Sequence, residues 1–258
     1  MTTRRPRATT LPMIERVGSY EIVPGIPPKR NVRVYVPSRS PGHDRPILFM
    51  FDGQNVFDDH GSFAGGWHAH RAVERLAKTV TPPTIVALDH GHEHRISELS
   101  PFDFMRFHGS LGGLLDWVGR WLLPELRGKR QLTHDPKRTI IAGSSMGGIA
   151  ALYAALSRPD LFGGALAMSP SLWIGGGRMF TWVRDHALPH GSRIYLDAGG
   201  YEARMLKTAA EMARILQMRG VHEVMFRGDP KGRHRETDWR RRLLPALRFH
   251  FGSARVRR

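Results

Sequence analysis

The chain has 258 residues, 41% hydrophobic and 24% charged; counting Gly and leaving out Tyr brings the apolar share to about 50%, which excludes wholesale disorder. The absence of cysteine excludes disulfides, Cys-ligated zinc, iron–sulfur clusters and thiol nucleophiles. Lys and Arg number 39 against 23 Asp and Glu, a formal charge of +16, which opens the question of anionic or nucleic-acid partners. The basic residues are spread along the chain, with short clusters at 4–7, 240–242 and 255–258, so a solvated Arg-rich surface is the expected use of the charge.

At about 150 residues per domain the length exceeds one average domain, yet α/β folds of this size commonly form a single unit. We expect a basic N-terminal extension at 1–18 and one domain at 19–258. Residues 1–16 carry no continuous apolar stretch of the secretory kind, and no window resembles a membrane span, so a soluble, cytoplasmic protein without membrane contact is expected. Oligomeric state is not legible at this level.

In chain order, short apolar runs at 31–36, 46–51, 83–88, 138–142, 164–168, 193–196 and 222–226 read as strands. Amphipathic stretches separate most of them. Leu114, Leu115, Val118, Trp121 and Leu122 form one helical stripe, and Met205, Ala209, Met212 and Leu216 another that ends at Gly220. Residues 149–156 are apolar all round, which predicts a buried helix. Strands alternating with helices predict a mostly parallel sheet covered on both faces, with ligands beyond the carboxyl ends of the strands. Gly/Pro-rich stretches at 38–46 and 175–177 read as loops.

The strongest chemical signal is Gly143-Ser144-Ser145-Met146-Gly147, a G-x-S-x-G that follows a buried strand and opens a helix. A nucleophile on a sharp strand-to-helix turn needs small neighbours, which Gly143 and Gly147 supply. Ser145 is then the candidate nucleophile, and the backbone N–H of Met146 one candidate oxyanion donor. The other candidate donor is the N–H of Gln54, after the strand that ends in Phe51-Asp52-Gly53.

In such a fold the base and its acid follow the serine in the order Ser, acid, His. Of the later histidines, His234 lies in a loop between the last strand and a helix, at the same sheet edge as Ser145. His186 and His250 sit in helix-like sequence, and His222 begins a strand. Two carboxylates compete for the acid. Asp197 stands at the end of its strand, whereas Glu202 lies past Gly199-Gly200 and has the longer reach; Glu202 is favoured and Asp197 stays open.

These segments resemble the Putative esterase family of α/β-hydrolases, which includes enterochelin-esterase-like enzymes, S-formylglutathione hydrolases, feruloyl esterases and mycolyltransferases. The resemblance runs from about 31 to 251. It rests on residues 51–58, 95–101, 143–148, 169–173 and 232–236. It implies an α/β-hydrolase fold and an esterase that needs no cofactor and no metal. It implies Ser145 as nucleophile, His234 as base and backbone oxyanion positions at Gln54 and Met146. Glu202 matches the acid of a G-x-x-[D/E] motif from Gly199, which moves it further ahead of Asp197. The segment 89–94 departs from the Gly/Asn-rich turn usual there. His90, His92 and His94 alternate as zinc ligands can, but no partner cluster accompanies them, so a loop at the pocket rim is expected. Trp67, Phe102, Phe104, Phe107 and Trp173 are candidate pocket walls, although aromatics more often pack in cores.

The expected function is carboxylic-ester hydrolysis through an acyl-serine, on a small-molecule ester. A ferric-siderophore (catecholate trilactone) esterase is the alternative within the same chemistry. A non-catalytic basic protein that binds nucleic acid on a hydrolase scaffold is the alternative from another class, supported only by net charge.

Overall fold

The computed structural model describes residues 14–20, 29–60, 62 and 64–252. The basic clusters at 4–7 and 255–258 lie outside the described residues.

The sheet contains β1 (Ile14–Tyr20), β2 (Arg30–Tyr35), β3 (Ile47–Met50), β4 (Thr84–Leu88), β5 (Thr139–Ser144), β6 (Gly164–Met168), β7 (Arg193–Gly199) and β8 (Glu223–Asp229). Its order is β1-β2-β4-β3-β5-β6-β7-β8. β2 pairs antiparallel with β1 and β4, and every pairing from β4 across to β8 is parallel. β1 is absent from the sequence-based assignment because it is a half-exposed edge strand without an apolar run. The expected boundary between residues 18 and 19 falls inside it.

The helices are α1 (Ala69–Leu76), α2 (Arg95–Leu99), α3 (Leu111–Trp117), α4 (Leu123–Arg130), α5 (Met146–Ser157), α6 (Arg178–Asp185), α7 (Ala203–Met218) and α8 (Glu236–Phe251). Alternation along the central strands divides the core in two. Phe49, Ile141, Ala165 and Ile194 face one cluster with α3 to α7, while Leu48, Ile140, Leu166 and Tyr195 face the other with α1 and α8. α5 packs on β5 and β6 and touches α2, which is why its all-round apolar sequence is buried.

A π-helical turn, Val118–Leu122, joins α3 to α4. Its extra residue per turn rotates the stripe, so Leu114, Leu115, Val118 and Leu122 are buried while Trp121, expected among them, is 69% exposed. The cluster at 240–242 is not a free basic patch. Arg241 pairs with Asp229 and Asp238, and Arg242 is buried against Asp197. Among the described residues, no helix is long and apolar enough to cross a membrane.

Candidate active site

β5 runs straight into α5 through Ser145, whose φ of 56° and ψ of −118° lie in a region that non-glycine residues seldom occupy. The surroundings hold it there. Ser145 N–H donates to the Met168 carbonyl at 3.0 Å, and the Ser145 carbonyl accepts from the N–H groups of Gly148, Ile149 and Ser171. Gly143 is required for closeness: a Cβ there would run into the Gly147 carbonyl. The Ser145 side chain is half-buried, its Oγ 3.2 Å from Ser171 Oγ.

Beyond the carboxyl ends of β7 and β8, two loops are laced by backbone hydrogen bonds from Gly200 N–H to Asp229 O and from Tyr201 N–H to Gly232 O. This lacing brings Glu202 to His234. Glu202 Oε1 lies 2.6 Å from His234 Nδ1. Glu202 Oε2 accepts from Gly199 N–H at 2.6 Å and Ser169 Oγ at 2.9 Å. Burial pushes the Glu202 carboxyl up, but the bonds from His234, Gly199 and Ser169 outweigh it and leave the group below the usual carboxylate range. The His234 ring meets Trp239 edge-on at 4.9 Å.

Asp197 sits elsewhere. It is fully buried, 3.3 Å from Arg242 Nε, and accepts from Ser169 N–H at 3.3 Å and Tyr195 OH at 3.5 Å. Burial pushes its carboxyl up to about 7, against the opposing pull of Arg242. It does not touch His234; its carboxylate belongs to Arg242.

Gln54 occupies a 3-10 turn, Gly53–Asn55, after β3, and Met146 is the first residue of α5. First-turn N–H groups have no partner in their own helix and so are free for a ligand. The turn is clamped from several sides. Arg95 Nε and Nη2 donate to the two oxygens of Asp52 at 2.7 and 2.8 Å, Arg33 Nη1 donates to Gly53 O at 2.9 Å, and His90 N–H reaches Gln54 Oε1 at 3.3 Å. The 89–94 segment thus abuts this turn. His90 Nδ1 accepts from His92 N–H, and His94 lies 3.7 Å from Glu93.

Trp67, expected at the pocket wall, is instead core: it is 4% exposed and packs on Trp239 at 5.9 Å. Trp173 is half-buried, with Phe104 edge-on at 5.4 Å and the Arg204 guanidinium 5.7 Å from its ring centre. Phe102 packs on Tyr153, and Phe107 lies under Arg106. Sequence reasoning missed Ser169, Trp239 and Arg242. Ser169 stands in the Ser-Pro-Ser segment that carried the resemblance, which is the one signal that pointed near it.

A mostly parallel sheet with a serine at a strand–helix elbow and a carboxylate–histidine pair beyond the same sheet edge defines the α/β-hydrolase class. The chain belongs to the Putative esterase family, whose pattern matches residues 24–250. It is similar to the iron(III) salmochelin esterase of Escherichia coli O6:H1, at 28% identity over 84% of this chain and 53% of that protein. Among solved structures it resembles the enterobactin esterase of Shigella flexneri determined in the presence of enterobactin. The TM-score is 0.73 at 23% identity, covering 92% of this chain and 58% of that one. It also resembles a siderophore hydrolase of Aspergillus nidulans, with a TM-score of 0.74 at 16% identity, covering 96% and 97% of the two chains. The chain spans between 52% and 58% of the length of the enterobactin and salmochelin esterases it matches over most of its own length.

Proposed function

We propose that this protein is a serine carboxylic-ester hydrolase whose substrate is an ester of the catecholate-siderophore class. The observation that carries the chemistry is the 2.6 Å contact between His234 Nδ1 and Glu202 Oε1, made at the sheet edge that presents Ser145. With Nδ1 bound to the carboxylate, Nε2 is the nitrogen left to take a proton.

Attack begins when the Ser145 hydroxyl leaves Ser171 and gives its proton to His234 Nε2. His234 takes the proton as Ser145 Oγ adds to the ester carbonyl, and the N–H groups of Gln54 and Met146 receive the oxyanion. Collapse releases the alcohol, which takes the proton from His234 and leaves an acyl-serine. Water, deprotonated by His234, then attacks the acyl carbon, and collapse frees the acid as His234 returns that proton to Ser145 Oγ. Glu202 holds the imidazole in one orientation and stabilises the imidazolium.

The substrate class is supported by the names of the relatives, which are iron(III) salmochelin and enterobactin esterases, and by the charge of +16, which favours an anionic catecholate complex. A cytoplasmic location belongs to the same proposal and rests on the sequence alone.

The test is turnover by purified protein on a panel of acetyl, longer acyl, feruloyl, thioester and catecholate-lactone esters, with Ser145→Ala as control. Hydrolysis of the catecholate lactone in preference to the others, lost in Ser145→Ala, is the expected result. Retained turnover in that variant overturns the mechanism, and preference for a neutral ester overturns the substrate class. Steering by charge further predicts that efficiency on the anionic ester falls with added salt while a neutral acetyl ester is nearly indifferent.

A further inference from the structure

Ser169 lies between β6 and Pro170 with a φ of 43°, although a residue before proline prefers extended backbone and a non-glycine side chain avoids this region. Nothing in the hydrolytic steps uses it. It is nevertheless fully buried, and its hydroxyl is surrounded. Trp239 Nε1 lies 3.0 Å from Ser169 Oγ, Arg242 Nη2 lies 2.9 Å away, and Glu202 Oε2 lies 2.9 Å away.

The inventory of donors decides how these contacts are wired. An indole N–H and a guanidinium can only donate, so Trp239 and Arg242 fill the two lone pairs of Ser169 Oγ. A hydroxyl has one proton, and the one acceptor among its contacts is Glu202. The proton therefore points at Glu202 Oε2 and nowhere else. Backbone strain serves the same end: Ser169 N–H is held by the Asp197 carbonyl at 2.9 Å, and the left-handed turn that results delivers Oγ behind the carboxylate.

We propose that Ser169 is a positioning residue for the acid of the triad: its hydroxyl, locked by Trp239 and Arg242, fixes the far oxygen of Glu202 so that the near oxygen meets His234. This rests on the hydrolase reading above. Gly199 N–H is the second donor to the same oxygen, and the two together leave Glu202 one orientation. The charged groups that face Glu202 are His234 from the β8–α8 loop and Arg242 from α8, whose Nη1 is 3.8 Å from Oε2. Asp197 of β7 stands behind Arg242 as its counter-ion, and Glu236 opens α8 two residues after His234.

The experiment compares Ser169→Ala and Ser169→Gly with the unaltered chain. Glycine adopts the left-handed backbone without strain, so Ser169→Gly removes the hydroxyl while easing the turn. Both variants are expected to melt cooperatively and to lose about tenfold to a hundredfold in kcat, the worth of one hydrogen bond to a charged group, with KM little changed. Without the Ser169 donor more negative charge rests on Glu202, which holds the imidazolium more firmly. The acid limb of kcat/KM is therefore expected at higher pH, and the downfield proton resonance of His234 Nδ1–H is expected to shift. A merely structural residue would alter the melt and leave the acid limb and the resonance in place. Folded variants with unaltered kcat, acid limb and resonance overturn the inference. If the unaltered chain hydrolyses no ester, the functional reading fails alone, because the His234 resonance still reads the Ser169 bond without turnover.

Discussion

Arg95 and Asp52 form a two-pronged ion pair, at 2.7 and 2.8 Å, that ties α2 to the turn carrying Gln54. Asp52 is 7% exposed and in the left-handed region, and its Oδ2 lies 3.2 Å from where a Cβ on Gly147 would be. One ion pair therefore ties α2 to the turn that carries Gln54 and sets the Asp52 carboxylate beside the first turn of α5.

Arg95→Met should accordingly cost about 2–3 kcal/mol of stability, since it leaves a buried carboxylate unpaired. It should also lower kcat, because the Gln54 N–H is no longer held in place. Arg95→Lys keeps the charge but loses the fork, so it should fall between the two. Urea unfolding and ester turnover on the same preparations check both effects, and an unaltered kcat in a folded Arg95→Met would separate this clamp from the oxyanion site.

Glu202 and Asp197 are five residues apart in sequence and serve different partners. Glu202→Gln should reduce kcat/KM by about a thousandfold or more, in the range seen when a triad acid loses its charge. Asp197→Asn should cost no more than about tenfold, because it acts at one remove, through Arg242 and Ser169. Steady-state kinetics on the two variants rank them, and the reverse ranking would move the triad acid to Asp197.

The elbow glycines should respond unequally to alanine. At Gly143 the new methyl meets the backbone of Gly147, which cannot retreat, and a loss of about 1–3 kcal/mol or more is expected. At Gly147 it meets only the Asp52 carboxylate at 3.2 Å and Phe51 Cβ at 3.5 Å, and the loss should be smaller. Denaturant midpoints measured side by side decide the order.

Two buried groups should bend the pH dependence of stability in opposite directions. Burial, then the charge of Arg193, push His250 down to about 3, although the Ala165 carbonyl 3.1 Å from Nε2 opposes this. The folded chain refuses a proton that the unfolded chain takes up near 6.5, so this contribution weakens as pH falls from 6.5 toward 3. Asp197 is raised from 3.8 to about 7, so the folded chain keeps a proton that the unfolded chain releases, and stability weakens as pH rises across that range. Between about pH 4 and 6.5 the two oppose one another. Relative to the unaltered chain, Asp197→Asn should lose Tm on going from pH 6.5 to 4.5, and His250→Gln should gain it. Parallel melting curves for all three chains would refute the assignment.

The parts of this protein that depend on neighbours in sequence were legible as sequence. β3 to β7 announce themselves because strands inside a covered sheet are continuous apolar runs, and Gly143 marks the elbow because the close approach of Gly147 leaves no room for a Cβ there. Chain order pointed to His234, the longer reach past Gly199-Gly200 favoured Glu202, and packing brought their side chains to 2.6 Å. What depends on partners far along the chain was decided by packing. β1 lacks an apolar run because it is an edge, and Trp121 faces outward because a π turn shifts the stripe by one residue. Arg242 sits in a basic triplet that reads as solvated surface. α8 lays it against β7, where Asp197 pairs with it and Ser169 Oγ accepts its hydrogen bond. A side chain's ordinary preference is set by its own chemistry, which sequence displays. Burial of a charge depends on a counter-charge and hydrogen-bond partners 45 and 73 residues away, which only the folded chain brings within reach.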